Sequence, residues 1–221
     1  LKSARNLEKD PTKQVKHEAN TAAIIRLVKE LESGGRIIVS KSSNSKTSDL
    51  ILDASRILRQ KGFIVCHSNF KGAKNSDEFL ERLHAACYAG FFPRKSELEK
   101  YKSSQLKKMM HAYEKLKNPS PFFVKPNKSS FDFSESDWSA SINLAEQFAK
   151  RFKTKTVFFF EKFDVLSRFK DSMKLQGCLR ADIQNHIHVS YCFSVASIKN
   201  EVEIFHSYNA PFYLTASRVV T

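Results

Sequence analysis

The chain has 221 residues, of which 41% are hydrophobic and 27% charged, a balance that suits one sizeable folded domain and excludes a disordered chain. No apolar run reaches the ~20 residues needed to cross a bilayer, and nothing at the N-terminus reads as a secretory leader. Cys66, Cys87, Cys178 and Cys192 lack C-x-x-C spacing, which fits reduced thiols in a cytoplasmic protein better than a disulfide framework. Charge is the strongest compositional signal: 37 Lys and Arg against 23 Asp and Glu leave +14.

Residues 1–20 are polar and basic and read as an extended lead-in. "TAAIIRLVKELESGG" then places Ile24, Leu27, Val28 and Leu31 at helical spacing, with Gly34 as the stop. "RIIVS" is a short β-branched run of the kind buried on both faces of a parallel sheet. A helix from Lys46 carries Leu50, Ile51, Ala54, Ile57 and Leu58 on one side and ends near Gly62. "FIVCH" predicts a second strand, and "NSDEFLERLHAACYAG" a helix capped by Ser76 and ending at Gly90.

Residues 91–135 interrupt this rhythm. A basic helix around Lys95 to Lys117 leads into a stretch rich in Pro and Ser, which reads as an insertion. Between Arg94 and Lys128 ten basic residues face three acidic ones, so this stretch alone carries +7. Such a surface attracts nucleic acid or an acidic protein, or is simply a solvated lysine-rich face. Phe122, Phe123, Phe131, Phe133 and Trp138 flank it, either to stack on single-stranded bases or, as the preferred reading, to anchor the insertion to the body.

Alternation then returns: a helix over about 137–152, the strand "TVFFF", a helix over about 171–185, the strand "HVSYCFS", a helix over about 198–206 and a closing strand "SRVVT". Five strands separated by helices predict an α/β fold with a mostly parallel sheet covered on both faces. Phe158, Phe159 and Phe160 are expected in its core.

Between the first strand and its helix lies "SKSSNSKTS", residues 40–48, which follows the phosphate-loop pattern G-x-x-x-x-G-K-[ST] with Ser40 and Ser45 at the glycine positions. Lys46 would meet the terminal phosphates and Thr47 would ligate Mg²⁺; the loop candidates are Ser40, Ser43, Asn44, Ser45, Lys46, Thr47 and Ser48. At the end of "TVFFFEKFD", Glu161 is the candidate for holding hydrated Mg²⁺. Lys162 follows where a catalytic base is needed, and an ammonium there accepts no proton. Asp164, three residues on, is the substitute acid, with a capping or turn role preferred. His186 and His188 at a strand start, and the Cys66–His67 pair, are weaker candidates for metal binding and nucleophilic chemistry.

Three segments carry a resemblance to the archaeal-type P-loop ATPases, relatives of the AAA+ and STAND groups. They are "LVKELESGGRIIVSKSSNSKTSDLILDASRIL", "TVFFFEKFDVL" and "LQGCLRADIQNHIHVSYCFSVASIKNEVEIFHSYNAPFYLTASRVV". The resemblance spans roughly residues 12–221. It implies a three-layer P-loop NTPase core over residues 21–221, with strand order 5-1-4-3-2, binding ATP and Mg²⁺. The family usually continues into a helical lid and a winged-helix domain, and both are expected to be absent from a chain that stops after the fifth strand. Where the family has "GS" after the fourth strand this chain has "SVAS", which makes Ser197 the candidate γ-phosphate sensor. The departures at Ser40, Ser45, Glu161 and Lys162 imply impaired hydrolysis. The alternative is a pseudo-ATPase that binds nucleic acid or protein through the basic insertion.

Overall fold

The computed structural model describes residues 11–40, 47–92 and 135–218, with side chains described from 21 and 138 onward in the first and last of these ranges. The described elements run, in order, α1 (Pro11–Glu32), β1 (Arg36–Ser40), α2 (Thr47–Gln60), β2 (Ile64–Asn69), α3 (Ser76–Phe91), α4 (Glu135–Ile142), α5 (Leu144–Phe152), β3 (Thr156–Glu161), a 3₁₀ turn (Phe163–Arg168), α6 (Ser172–Ile183), β4 (Val189–Val195), α7 (Ile198–Glu201) with a π-type turn (Val202–His206), and β5 (Ser217–Arg218).

All strand pairings are parallel and the order is β2-β3-β4-β1-β5, which is the expected 5-1-4-3-2 read from the other edge. Parallel strands need crossover helices, and these cover both faces. On one face Leu27, Leu31, Leu50, Ile51, Ala54 and Leu58 of α1 and α2 pack on Ile37, Val39, Val65, Val157, Phe159 and Cys192. On the other, α3 to α6 bury Phe79, Leu83, Trp138, Ala149, Leu175 and Leu179 against Ile38, Phe158, Phe160, Tyr191 and Phe193. Alternation along β3 therefore sends Phe159 to one core and its neighbours Phe158 and Phe160 to the other. The Phe160 and Phe193 rings stack nearly parallel, 5.4 Å apart. Trp138 is buried beside α3.

Several boundaries differ from the sequence expectations. The first helix begins at Pro11, so residues 11–20 are helical rather than extended. Proline suits a first helical position, where its missing N–H would have had no partner. Asn75, not Ser76, caps α3: its Oδ1 accepts from the Glu78 amide at 2.9 Å, while Ser76 is the first helical residue. Gly90 does not end that helix, which continues to Phe91. A Cβ at Gly90 would stand 2.6 Å from Cys66 Sγ, so this glycine marks the close approach of α3 to β2. The helix expected over 137–152 is divided at Asn143. Gly34 ends α1 as expected, in the left-handed region at φ +89°. Residues 93–134, which hold the basic helix, the Pro/Ser-rich stretch and Phe122, Phe123, Phe131 and Phe133, lie outside the described residues. Among the described residues no helix is long and apolar enough to cross a membrane. The four cysteines are free, with Cys178 half-buried and the others buried.

Candidate nucleotide site

Because every strand runs the same way, the C-terminal ends of all five line one edge of the sheet, the edge where α/β proteins place ligands. Ser40 closes β1 there, Glu161 closes β3, and Thr47 and Ser48 open α2. Of the phosphate-loop candidates, Ser43, Asn44, Ser45 and Lys46 lie outside the described residues. Ser40 and Thr47 are buried. The Ser40 hydroxyl accepts from Arg218 of β5 at 3.2 Å, tying the start of the loop to the sheet edge.

The first turn of α2 meets the end of β3 through a side-chain contact. Ser48 Oγ, rather than Thr47, donates a short hydrogen bond to Glu161 Oε1. Glu161 Oε2 lies 3.0 Å from His67 Nε2, from β2. The Glu161 carboxyl is held below the usual carboxylate range, first by the His67 hydrogen bond and then by Ser48 and the charge of Lys162, against the opposing effect of burial. It is therefore an anion at neutral pH, 5% exposed, facing the start of α2. An ionised carboxylate with a serine hydroxyl beside it supplies oxygen donors of the kind that suit a divalent cation.

Lys162 follows in the left-handed region at φ +61° and turns the chain from β3 into the 3₁₀ segment. Asp164, within that segment, is buried and committed on both oxygens. Oδ1 accepts from the Ala196 amide at 3.1 Å and Oδ2 from Asn200 Nδ2 at 2.6 Å. Ser197 caps α7, its hydroxyl accepting from the Asn200 amide at 3.2 Å. Asp164 and Ser197 thus meet at Asn200 and together hold the loop after β4.

Sequence reasoning missed three participants. His67, a neighbour of Cys66 in the sequence, meets an acid in Glu161, from the neighbouring strand. Strand order 3-2 was the signal, since it sets the ends of β2 and β3 side by side. Cys66 points into the opposite core and is fully buried. Arg218 and Glu201 were not singled out. Glu201 is buried, with Oε1 in an ion pair with Arg218 Nε at 3.4 Å and lying 3.2 Å from His206 Nε2.

His186 and His188 go to different partners at the opposite end of the sheet. His186 is buried, 2.5 Å from the Tyr191 hydroxyl and 2.8 Å from Asn143 Oδ1, while His188 Nδ1 meets Glu146 at 2.6 Å. Among the described residues no group of three His, Cys, Asp or Glu side chains is arranged to hold a metal.

No family model matches the chain, and no curated protein matches it in sequence. Among solved structures it is similar to a Walker-type ATPase of Pyrococcus abyssi, with a TM-score of 0.55 at 13% identity over 90% of this chain and 51% of that one. The ORC2 protein of Aeropyrum pernix, solved as ADPNP–ADP complexes, gives 0.48 at 9% identity over 93% and 47% of the two chains. The ORC1 protein of the same organism, solved in complex with DNA, gives 0.47 at 12% identity over 91% and 45%. The first of these supports the fold: the chain has the P-loop NTPase α/β architecture, and the resemblance to archaeal-type P-loop ATPases holds at that level. The chain spans about half the length of these neighbours.

Proposed function

We propose that the chain is an ATP-binding P-loop domain whose hydrolysis is close to background. The observation that carries this reading is the Ser48–Glu161 contact, which brings the first turn of α2 against an ionised carboxylate at the end of β3. Glu161 with Thr47 or Ser48 would hold Mg²⁺, which when bound neutralises phosphate charge. Lys46 and the α2 N-terminus would attract the phosphates. Weak hydrolysis follows from what surrounds Glu161. Lys162 is a cation where a base is needed, and Asp164 has both oxygens engaged in holding the loop after β4. Ser197, capping α7, lies on that same loop and is the proposed γ-phosphate sensor. Four free thiols suit a cytoplasmic setting.

Calorimetric titration of the chain with Mg-ATP tests the binding reading. Lys46→Ala is expected to abolish the binding seen with the unaltered chain, and turnover is expected to stay well below ~1 s⁻¹, the lower end for ordinary enzymes. Unchanged binding by Lys46→Ala would reduce the loop to a serine-rich turn.

A second reading rests on the +7 carried by residues 94–128, which favours an added role as a scaffold for nucleic acid or an acidic protein. It is compatible with the first.

A further inference from the structure

His67 brings to the candidate cation site a nitrogen donor that a phosphate-loop motif does not contain. In the parallel β2–β3 register Asn69 pairs with Glu161 and His67 with Phe159, so His67 and Glu161 lie on the same face of the sheet. That face is the one covered by α1 and α2. The His67 ring sets its edge against Phe159, with centroids 6.3 Å apart and planes at 78°. This contact directs Nε2 toward the Glu161 carboxylate, 3.0 Å away. Glu161 is nearly buried at 7% side-chain exposure, while His67 keeps 28%. The other Glu161 oxygen meets the Ser48 hydroxyl. One imidazole nitrogen, one carboxylate and one hydroxyl therefore converge from β2, β3 and α2.

Mg²⁺ prefers an all-oxygen shell and keeps its waters, whereas imidazole favours Zn²⁺, Co²⁺ and Ni²⁺. Two donors bound side by side to one such ion, at about 2.0–2.2 Å each, stand about 3 Å apart at an octahedral angle and about 3.4 Å apart at a tetrahedral one. The His67–Glu161 separation has the octahedral span already.

Resting on the cation-site reading above, the geometry points to a mixed nitrogen–oxygen site, His67 with Glu161, that selects a borderline transition ion over Mg²⁺ as the companion of the nucleotide. Such an ion displaces the hydrogen bond between the two side chains, the neutral ring carrying its proton on Nδ1 instead of Nε2, and takes Nε2 and the carboxylate as ligands. Ser48 or Thr47 and a phosphate oxygen supply further positions, which accounts for a site with only two strong protein ligands. Without the ion, the imidazole N–H simply donates to the carboxylate.

The test uses the full chain with a non-hydrolysable ATP analogue and compares Co²⁺ with Mg²⁺ by titration. The variants are His67→Gln, which keeps a hydrogen-bond donor but removes the imidazole, and Glu161→Gln. The unaltered chain should prefer Co²⁺ more strongly than His67→Gln does, by about tenfold or more. It should also show paramagnetically shifted imidazole proton resonances that His67→Gln lacks. His67→Gln should still bind the Mg²⁺ complex, and Glu161→Gln should weaken both complexes. Equal Co²⁺-to-Mg²⁺ preference in the unaltered chain and His67→Gln would overturn the nitrogen ligand, leaving His67 as a hydrogen-bond donor. Full Mg²⁺–nucleotide binding by Glu161→Gln would instead overturn the cation site itself.

Discussion

Asp164, in the turn after β3, accepts a 2.6 Å hydrogen bond from the side-chain amide of Asn200 in α7, and so binds the loop after β4 to the end of β3. Its other oxygen takes the Ala196 amide. Asp164→Ala would leave two donors short of an acceptor in a mostly buried setting, at a cost of about 1–3 kcal/mol. Denaturant unfolding should show that loss. Retained stability with a changed rate of ATP turnover would instead make Asp164 a catalytic group.

Serines at the two glycine positions should weaken phosphate binding, because a Cβ there hinders close approach of the phosphates to the backbone N–H groups. Ser45→Gly should tighten Mg-ATP binding several-fold. Ser40→Gly should help less, since it also removes the acceptor of Arg218. Turnover should rise only when Lys162→Glu is added to both, as measured by steady-state phosphate release. Turnover without the Lys162 change would place the base elsewhere.

Gly90→Ala should destabilise the fold by about 1–3 kcal/mol through overpacking, because its Cβ would meet Cys66 Sγ at 2.6 Å and the Val65 carbonyl oxygen at 3.1 Å. Gly177, with nothing within 4 Å of an added Cβ, is the control. Gly177→Ala, within α6, should be neutral or stabilising by up to about 1 kcal/mol. Thermal melts of the two variants should diverge.

Burial lowers the His84 pKa from 6.5 to about 4. Between these values the unfolded chain binds the proton and the folded chain does not, so stability is full above pH 6.5 and falls as pH drops toward 4. The loss is on the order of 3 kcal/mol across that window. His186, lowered first by burial, adds in the same direction. Denaturant midpoints of His84→Gln should depend less steeply on pH between 6.5 and 4. An unchanged slope would show that His84 titrates normally.

If the 94–128 stretch binds nucleic acid, affinity should fall with salt at a log–log slope of about −0.9 for each phosphate contact on duplex DNA. Replacing Lys107, Lys108, Lys115 and Lys117 with Ala should flatten that slope in fluorescence anisotropy. Binding unchanged in slope and strength would assign the charge to solubility.

The sequence by itself determined the sheet. "RIIVS", "TVFFF" and "HVSYCFS" are apolar enough to be buried on both faces, and helices between them force parallel pairing, so strand identity and direction were legible, while the strand order came from the family resemblance. Glu161 was legible too, because it ends a buried strand with a charge. The capping residue of α3 and the role of Gly90 were not, since they turn on a side-chain rotamer and on how closely two elements approach. The helical start at Pro11 was missed because polar, basic composition does not distinguish an exposed helix from an extended segment. Tertiary structure alone decided which groups meet. His67 and Glu161 are far apart in the chain and become neighbours because β2 and β3 pair in one register. Ser48 rather than Thr47 reaches that carboxylate because the rotation of α2 over the sheet chooses the hydroxyl that faces it, and no local pattern encodes that rotation.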